Sequence, residues 1–236
     1  MRYPVLLALS LAATAAFAQN APPDPLTGSA ALGYLSTSGN TESTNSNASL
    51  KVEWDRGGDW RHEWSALAIS ARTDGITTAK SQAAGYKAQR DFGERSYLFA
   101  SGDWRKDRFS GYDKQTTEAV GYGHKVIDVE RQALSVEGGI GAKQSTLVDD
   151  TTLDEGIIRA AIDYVLHISD NSEFNQKLLV EAGDDNRYTE STSSLKANLI
   201  GNLAIVFSYV VKNNSDVPIG VEKTDRFTAV SLEYGF

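Results

Sequence analysis

Several features are absent from the 236-residue sequence, and each absence narrows the class of protein. There is no cysteine, so the fold has to be stable without disulfide bonds. Acidic residues outnumber basic residues by 31 to 23, and the resulting net charge of −8 argues against nucleic acid as a partner. Beyond the N-terminal segment the chain has no run of about 18 consecutive apolar residues, which excludes a helical membrane protein.

The N-terminal segment has the pattern of a secretory signal peptide. Arg2 supplies a positive charge, an apolar stretch "VLLALSLAATA" follows, and Ala16 and Ala18 form an A-x-A cleavage site. We therefore expect residues 1–18 to be a signal peptide, with an uncleaved anchor as the alternative. Residues 19–27 contain three prolines and are predicted to be an extended leader, because proline opposes both helix and strand pairing. Residues 28–236 show no linker and are predicted to form one domain.

Apolar and polar residues alternate with a period of two through nearly all of this domain. In "ASLKVEW", for example, Ala48, Leu50, Val52 and Trp54 share one face, and the residues between them are polar. Only a β-strand separates neighbouring side chains in this way. The predicted strands are about ten to fourteen residues long, which is enough to cross a bilayer when tilted.

Breaks in the alternation come in two kinds that follow each other in turn. Short breaks fall at 56–59, 93–95, 128–131, 169–172 and 201–202. Longer polar breaks fall at 37–43, 72–78, 110–113, 145–154, 184–192 and 213–223. This order predicts an all-β fold, a transmembrane antiparallel β-barrel of about twelve strands with short periplasmic turns and longer external loops. Both termini then lie at the short-turn end.

Charged residues of both signs lie on the polar faces of these strands. The members that we expect to form a charge ladder in the lumen are Asp103, Arg105, Asp107, Glu137, Lys143, Arg159 and Asp163. Aromatic residues, including Trp54, Trp60, Trp64 and Tyr97, cluster beside the short turns and suggest an interfacial girdle. A soluble periplasmic barrel, with its apolar face inward around an apolar ligand, is the alternative architecture.

Four segments resemble one known family. They are "GYLSTSGNTES" at 33–43, "DRFSGYD" at 107–113, "GYGHKV" at 121–126 and the final "YGF". In order and spacing they are similar to the salt-induced outer-membrane proteins of the YdiY-like type, a domain of unknown function. The resemblance implies an outer-membrane barrel and induction by salt, and it brings no established catalytic or binding residues.

The last strand carries a second pattern. Val230, Leu232, Tyr234 and Phe236 alternate with polar residues, and we expect them to face lipid while Ser231 and Glu233 face the lumen. A final aromatic after alternating apolar residues resembles the signal read by the barrel assembly machinery. We expect this strand to pair with the first one, near "ALGYLS", because an open sheet edge is not tolerated in lipid.

The sequence contains few indications of a catalytic or metal-binding site. His62, His124 and His167 are predicted beside short turns on the lipid-facing side, and neither a GxSxG nor an HExxH motif occurs. We expect no enzymatic activity, no metal and no cofactor, with an outer-membrane lipid-modifying enzyme as the alternative. The acidic loops around Asp149 and Asp184 are expected to be solvated, although they could share divalent cations with lipopolysaccharide.

These observations predict a monomer in the cell outer membrane whose partners are membrane lipids and lipopolysaccharide. Loop cations that could contact lipopolysaccharide are Arg72, Lys80, Lys114, Arg187 and Lys223. Barrels of about eight strands have a lumen filled by side chains, and barrels of sixteen to eighteen strands have a water channel. The lumen of a twelve-stranded barrel is intermediate in width. We expect a narrow pore for ions or small solutes, or a structural envelope protein under osmotic stress. If opposite charges pair across the lumen, it should be largely plugged.

Overall fold

Twelve antiparallel strands form the whole of the described chain. The computed structural model describes residues 26–37, 43–55, 58–107, 112–217 and 220–236. The strands are β1 (Leu26–Thr37), β2 (Ser43–Asp55), β3 (Trp60–Thr73), β4 (Ile76–Phe92), β5 (Ser96–Asp107), β6 (Tyr112–Val129), β7 (Gln132–Leu147), β8 (Thr152–Ser169), β9 (Ser172–Ala182), β10 (Arg187–Ile200), β11 (Leu203–Asn214) and β12 (Thr224–Gly235).

Each strand pairs with its neighbours in sequence, and β12 pairs with β1 to close the barrel. The predicted twelve-stranded antiparallel barrel is therefore confirmed. In the part of the chain that the structure covers, no helix is long and apolar enough to cross a membrane. The predicted signal peptide and its cleavage site at Ala16 and Ala18 lie outside the described residues.

Several strands extend further than the sequence pattern indicated. The break predicted at 72–78 is a two-residue turn, in which Asp74 and Gly75 have φ angles of 49° and 77°. Positive φ at both central positions is typical of a type I′ hairpin turn, which Asp-Gly favours. The breaks predicted at 145–154 and 184–192 contract to 148–151 and 183–186, because the flanking residues continue the ladder. Apart from the Asp74–Gly75 turn, the connections at this end span four to nine residues, and those at the other end span two to four.

The first strand also begins earlier than predicted. β1 starts at Leu26, and Leu26 and Thr27 pair with Trp54 and Glu53 of β2. These two residues were assigned to the leader because of the prolines before them. Neither is a proline, so both can join the ladder, and the strand starts directly after Pro25.

The distribution of polar and apolar side chains is the reverse of that in a soluble protein. Large apolar side chains on all sides of the barrel point outward, among them Leu98, Ile140, Ile158 and Phe207, each at least half exposed. The interior instead buries polar and charged residues, and Lys143, Glu181 and Thr117 are the largest fully buried side chains. This arrangement is the opposite of a soluble barrel that holds an apolar ligand. It is the arrangement of a membrane barrel with a polar lumen.

The closing strand has the orientation that its alternation predicts. Val230, Leu232, Tyr234 and Phe236 point outward and are 41–52% exposed, whereas Ser231 is buried in the interior. β1 and β12 pair from Ser29 with Gly235 to Leu32 with Leu232. The backbones of Gly28 and Phe236 exchange two further hydrogen bonds of 2.8 and 2.9 Å. The barrel is thus closed by a short seam that includes the final residue.

Candidate functional site

The lumen collects the charged side chains, and alternation along three strands places them there. The structure puts all seven residues of the predicted ladder on the interior face. Asp103, Arg105 and Asp107 follow one another on β5, Glu137 and Lys143 lie on β7, and Arg159 and Asp163 lie on β8. They do not form one continuous ladder, because they separate into groups with different partners.

The first group crosses the lumen near the loop end. Arg105 donates two hydrogen bonds to the carboxylate of Glu181, at 2.9 and 3.1 Å. Three strands separate β5 from β9 in the barrel wall, so this bidentate pair spans the interior. Lys143 on β7 places its Nζ 3.9 Å from the same carboxylate. Two buried cations therefore share one fully buried carboxylate.

Tyr188 on β10 completes this group. The Arg105 guanidinium lies over its ring at 4.6 Å, and the Lys143 ammonium lies 5.5 Å from the ring centroid. A cation over an aromatic face is attracted by the ring quadrupole, and most strongly where water is excluded. The phenol in turn donates a hydrogen bond to Glu190. Side chains from four strands thus meet in the middle of the lumen.

A second contact joins opposite walls at the same height. Lys212 on β11 places its Nζ 4.0 Å from a carboxylate oxygen of Asp107 on β5 and donates a 3.3 Å hydrogen bond to Ser81 on β4. β5 and β11 are six positions apart in a ring of twelve, which is the largest separation possible. The Lys212 side chain therefore reaches across the full width of the barrel.

A third group lies lower, towards the short turns. Glu137 accepts hydrogen bonds from Lys87 on β4, from Arg159 on β8 at 3.0 Å, and from the Tyr97 hydroxyl on β5 at 2.8 Å. The sequence placed Tyr97 in the outward girdle, which is wrong, since its side chain is 3% exposed and lies inside. Tyr97 shares the alternation of Phe99 and Ser101, and that parity, rather than its position beside a turn, sets its direction.

Accessibility along the lumen changes sharply between the two ends. Interior ion-pair residues in the short-turn half, Lys51, Glu53, Glu63, Asp163 and Lys177, have side chains that are 36–44% exposed. Those of the cross-lumen contacts, Arg105, Lys143, Glu181, Asp107 and Lys212, are 0–14% exposed. The charges nearest the short turns are in contact with solvent. Burial begins at Glu137 and Arg159, which are 8% and 11% exposed, and it is greatest at the cross-lumen contacts.

The cavities follow the same division. A cavity of about 370 Å³ extends from Glu63 near the short turns to Arg105 and Lys212. Beyond these two residues, on the loop side, lies a cavity of about 20 Å³. A void of that size holds about one water molecule. Arg105 and Lys212 line both cavities and so form the wall between them. We call these two residues and their partners Glu181 and Asp107 the constriction.

Two of the four constriction residues, Glu181 and Lys212, were not part of the predicted ladder. Both are signalled only by alternation, in "LLVEA" and "VVKNN", where each takes an inward position. Nothing in the sequence indicates that Glu181 meets Arg105, because their strands are not neighbours. The pairing depends on the closure of the barrel.

The histidines differ from one another. His62 points outward, stacks between Trp60 and Trp64 and contacts the Tyr86 hydroxyl at 2.9 Å, as expected of a residue in an interfacial girdle. His167 was predicted to face lipid, which is wrong, because it shares the inward parity of Asp163 and pairs with Glu173 at 3.4 Å.

His124 is the histidine that contacts a serine. Its Nδ1 lies 3.3 Å from Ser96 Oγ, and the Tyr122 hydroxyl lies 3.0 Å from the same serine. A nucleophilic dyad needs a third group that orients the histidine. The contacts of His124 within the described chain include no carboxylate. Nor do the described residues contain a group of three or more His, Asp or Glu side chains that could hold a metal ion.

Comparison with known proteins supplies the family and a fold. Residues 30–236 match the family described as "Protein of unknown function, DUF481". Over 215 residues the chain is 27% identical to the uncharacterized protein YdiY of Escherichia coli (strain K12), covering 89% of this chain and 83% of YdiY. The NanC porin structure aligns with a TM-score of 0.51 and 10% identity, covering 89% and 97% of the two chains. The translocator domain of the autotransporter NalP from Neisseria meningitidis aligns with a TM-score of 0.49 and 12% identity, covering 89% and 87%. The likeness to NanC concerns the barrel fold.

Proposed function

The chain belongs to the DUF481 family of proteins of unknown function, and from that premise we propose that it is a barrel of the cell outer membrane. The outward apolar side chains and the polar interior support this placement. Export would use residues 1–18 as the signal peptide, and β12 with its outward Phe236 would be the segment recognised by the barrel assembly machinery.

Within the membrane, the lumen would act as a narrow pathway for ions or small solutes. The observation that carries this proposal is the abrupt narrowing at Arg105 and Lys212, from about 370 Å³ to about 20 Å³. A wide porin needs an open aqueous channel along its length, and the constriction argues against one. The larger cavity is a polar vestibule that opens towards the short turns, which would face the periplasm.

Passage through the constriction would require its ion pairs to separate. Each pair joins strands that are not neighbours, so separation does not need any backbone hydrogen bond to break. If the pairs stay closed, the barrel is a structural envelope protein, and their burial favours this second candidate. Induction by salt and a role in osmotic stress are part of the proposal for either candidate.

Single-barrel conductance in planar bilayers separates the two candidates. The refolded wild-type protein is expected to give small steps. Arg105→Ala and Lys212→Ala, combined, should raise the conductance severalfold, because they remove the wall between the cavities. Lys177→Ala is the matched control, since it removes a cation from the wide half and should change the step size little. Absence of steps from both the wild-type protein and the double variant would refute the pore and leave the structural candidate.

The proposal includes no catalytic role. Ser96 and His124 are the pair that a lipid-modifying enzyme would use. An orienting carboxylate would have to bind the other ring nitrogen of His124, whereas Ser96 and Tyr122 both contact Nδ1. Ser96→Ala and His124→Ala in vesicles of phosphatidylcholine are therefore expected to leave lipid hydrolysis at the background level of the wild-type protein. Hydrolysis above background that both substitutions abolish would establish an enzyme instead.

A monomer in contact with lipopolysaccharide is the proposed assembly state. Arg72 and Lys80, near the loop end, are exposed and could pair with lipopolysaccharide phosphates. Sedimentation of the detergent-solubilised barrel tests the monomer, and a mass that corresponds to two chains would contradict it.

A further inference from the structure

The backbone pairing that closes the barrel stops partway along the seam. β1 and β12 pair from Ser29 to Leu32, which is four residue pairs, whereas every other pair of neighbouring strands has at least ten. The same register, continued towards the loops, would pair residues 33–37 with residues 227–231. Within the described backbone those pairs are not formed, although both segments keep their full ladders to β2 and β11.

A side-chain bridge stands where the ladder ends. Asn47 on β2 donates a 2.7 Å hydrogen bond to Ser231 on β12, although β1 lies between these two strands. The bridge passes over Gly33 of β1, which pairs with Asn47, and any side chain at Gly33 would collide with the Asn47 amide. We call Asn47, Gly33 and Ser231 the clasp. On the loop side of the clasp, the described residues of β1 and β12 form no backbone pairs with each other.

Most of the lumen wall beside the clasp is uncharged. Inward positions on β1, β2 and β3 at this level are Ala31, Ser49, Leu67 and Ile69. On β12, Ala229 is uncharged, whereas Glu233, which pairs with Ala31, faces the lumen and forms a 2.7 Å ion pair with Lys196. The charged constriction arises largely from strands on the other side of the barrel. Leu67 lines the vestibule, and Ile69, the next inward residue on β3, pairs with Asn47 of the clasp. A strip of uncharged residues therefore leads from the vestibule to the seam.

On the outside, a groove of about 380 Å³ crosses β1 to β4, so that β1 borders both the groove and the seam. Small residues, including Ala48 and Ala68, form its floor. Leu32 and Tyr34 of β1, which are 70% and 72% exposed, rise above this floor on one side. Lys80 lines the loop end of the groove, and the exposed Arg72 lies on the neighbouring strand β3, two residues beyond the partner of Lys80. An apolar groove that ends among cations matches an acyl chain below an anionic headgroup.

We propose that the seam above Leu32 is a lateral opening, through which the acyl chain of an anionic lipid passes between this outer groove and the vestibule. The Asn47–Ser231 hydrogen bond is its latch. The inference rests on the proposed membrane location. An unpaired edge in hydrocarbon must be satisfied by another partner, and at this height the lipid headgroups and water can supply one.

The absence of cysteine makes a direct test possible, because every introduced thiol is unique. The barrel is placed in vesicles that contain phosphatidylglycerol with a brominated acyl chain, which quenches bimane fluorescence on contact. A bimane label at Ile69→Cys then reports whether an acyl chain reaches the inner wall. Labels at Leu32→Cys and Leu179→Cys report the lipid-facing surface and the opposite inner wall. We expect the Ile69 label to be quenched at least half as strongly as the Leu32 label, and the Leu179 label to remain at background.

A disulfide then locks the opening in the same protein. Oxidised Tyr34→Cys with Val230→Cys, formed before labelling, should reduce the quenching at Ile69 to background, and reduction of the disulfide should restore it. Ala30→Cys with Tyr234→Cys is the matched control, since it links residues that are already paired and should have no effect. Asn47→Ala, which removes the latch, should increase the quenching.

The outcomes separate this inference from the membrane location. Quenching at Leu32 with background quenching at Ile69 would overturn the lateral opening and leave the membrane barrel intact. Equal quenching at Ile69 by brominated phosphatidylcholine would overturn the anionic headgroup. Background quenching at all three sites would overturn the membrane location itself.

Discussion

The buried carboxylate of Glu181 offers the most decisive test of how the lumen is organised. Glu181→Gln keeps the size and shape of the side chain and removes its charge. Arg105 and Lys143 then lose the carboxylate that they share, and both remain in a region where their side chains are at most 14% exposed. We expect the folded barrel to be substantially destabilised, because two buried cations lose the carboxylate that they share and keep only their more distant interactions with Asp103 and Glu155.

The magnitude follows from the geometry. Glu181 is fully buried and accepts two hydrogen bonds from Arg105, at 2.9 and 3.1 Å. Removing one partner of such a buried pair typically costs about 3–5 kcal/mol. Asp163→Asn is the matched control, since it breaks the Lys177–Asp163 pair of 3.3 Å whose side chains are 44% and 41% exposed. An exposed pair contributes about 0–1 kcal/mol, so the control should change stability little.

Urea unfolding of the barrel in lipid vesicles, followed by the fluorescence of its four tryptophans, measures both variants. The Glu181→Gln midpoint should fall clearly below that of the wild-type protein, and the Asp163→Asn midpoint should stay close to it. Equal losses in the two variants, or a loss below about 1 kcal/mol for Glu181→Gln, would refute the interpretation of the constriction as a buried ion-pair network.

Four further substitutions test the wall of the barrel, one of its turns and its closing strand. Gly123→Ala should destabilise the folded state by about 1–3 kcal/mol, because the new methyl group would overlap the ring of Tyr97. Gly138→Ala has open space around it and should not destabilise in the same urea assay. Gly75→Ala should cost about 1–2 kcal/mol through its φ of 77°, and an unchanged midpoint would contradict the type I′ turn. Phe236→Ala should lower the yield of heat-modifiable barrel in cells more than it lowers the stability of the refolded protein, and a normal yield would count against the role of this strand in assembly.

Much of the wall could be predicted from local sequence. Alternation in stretches such as "ASLKVEW" indicates a strand and assigns each side chain to a face, since successive residues point to opposite sides. The number of strands follows from the breaks. The ends of the strands were less certain, because polar residues such as those of "RTDGITT" can belong either to a loop or to a strand that continues beyond the membrane. Asp74 and Gly75 alone form that turn.

The contacts inside the lumen could not be predicted in this way. Alternation shows that Arg105 and Glu181 face inward, but not that they meet, because two residues on strands that are not neighbours come together only through the closure and stagger of the barrel. Tyr97 and His167 illustrate a second difficulty. Their positions beside short turns suggested the interfacial girdle, whereas strand parity placed both on the interior side. Where proximity to a turn and parity disagree, parity prevails, because reversing one side chain would require a bulge in the ladder.

The uneven lumen is a consequence of where each strand places its long charged side chains. Arg105, Lys143, Glu181 and Lys212 all lie within a few residues of the loop ends of their strands, so their side chains meet at one height and fill it. Most of the inward residues of β1, β2 and β3 beside the clasp are small or uncharged, and none of them is a long charged side chain. The constriction can therefore block the lumen of the same barrel in which β1 and β12 are joined by only a few backbone pairs. A pathway that ends at the constriction and leaves through the seam would need both features, and a simple pore would need neither the clasp nor the uncharged strip that leads to it.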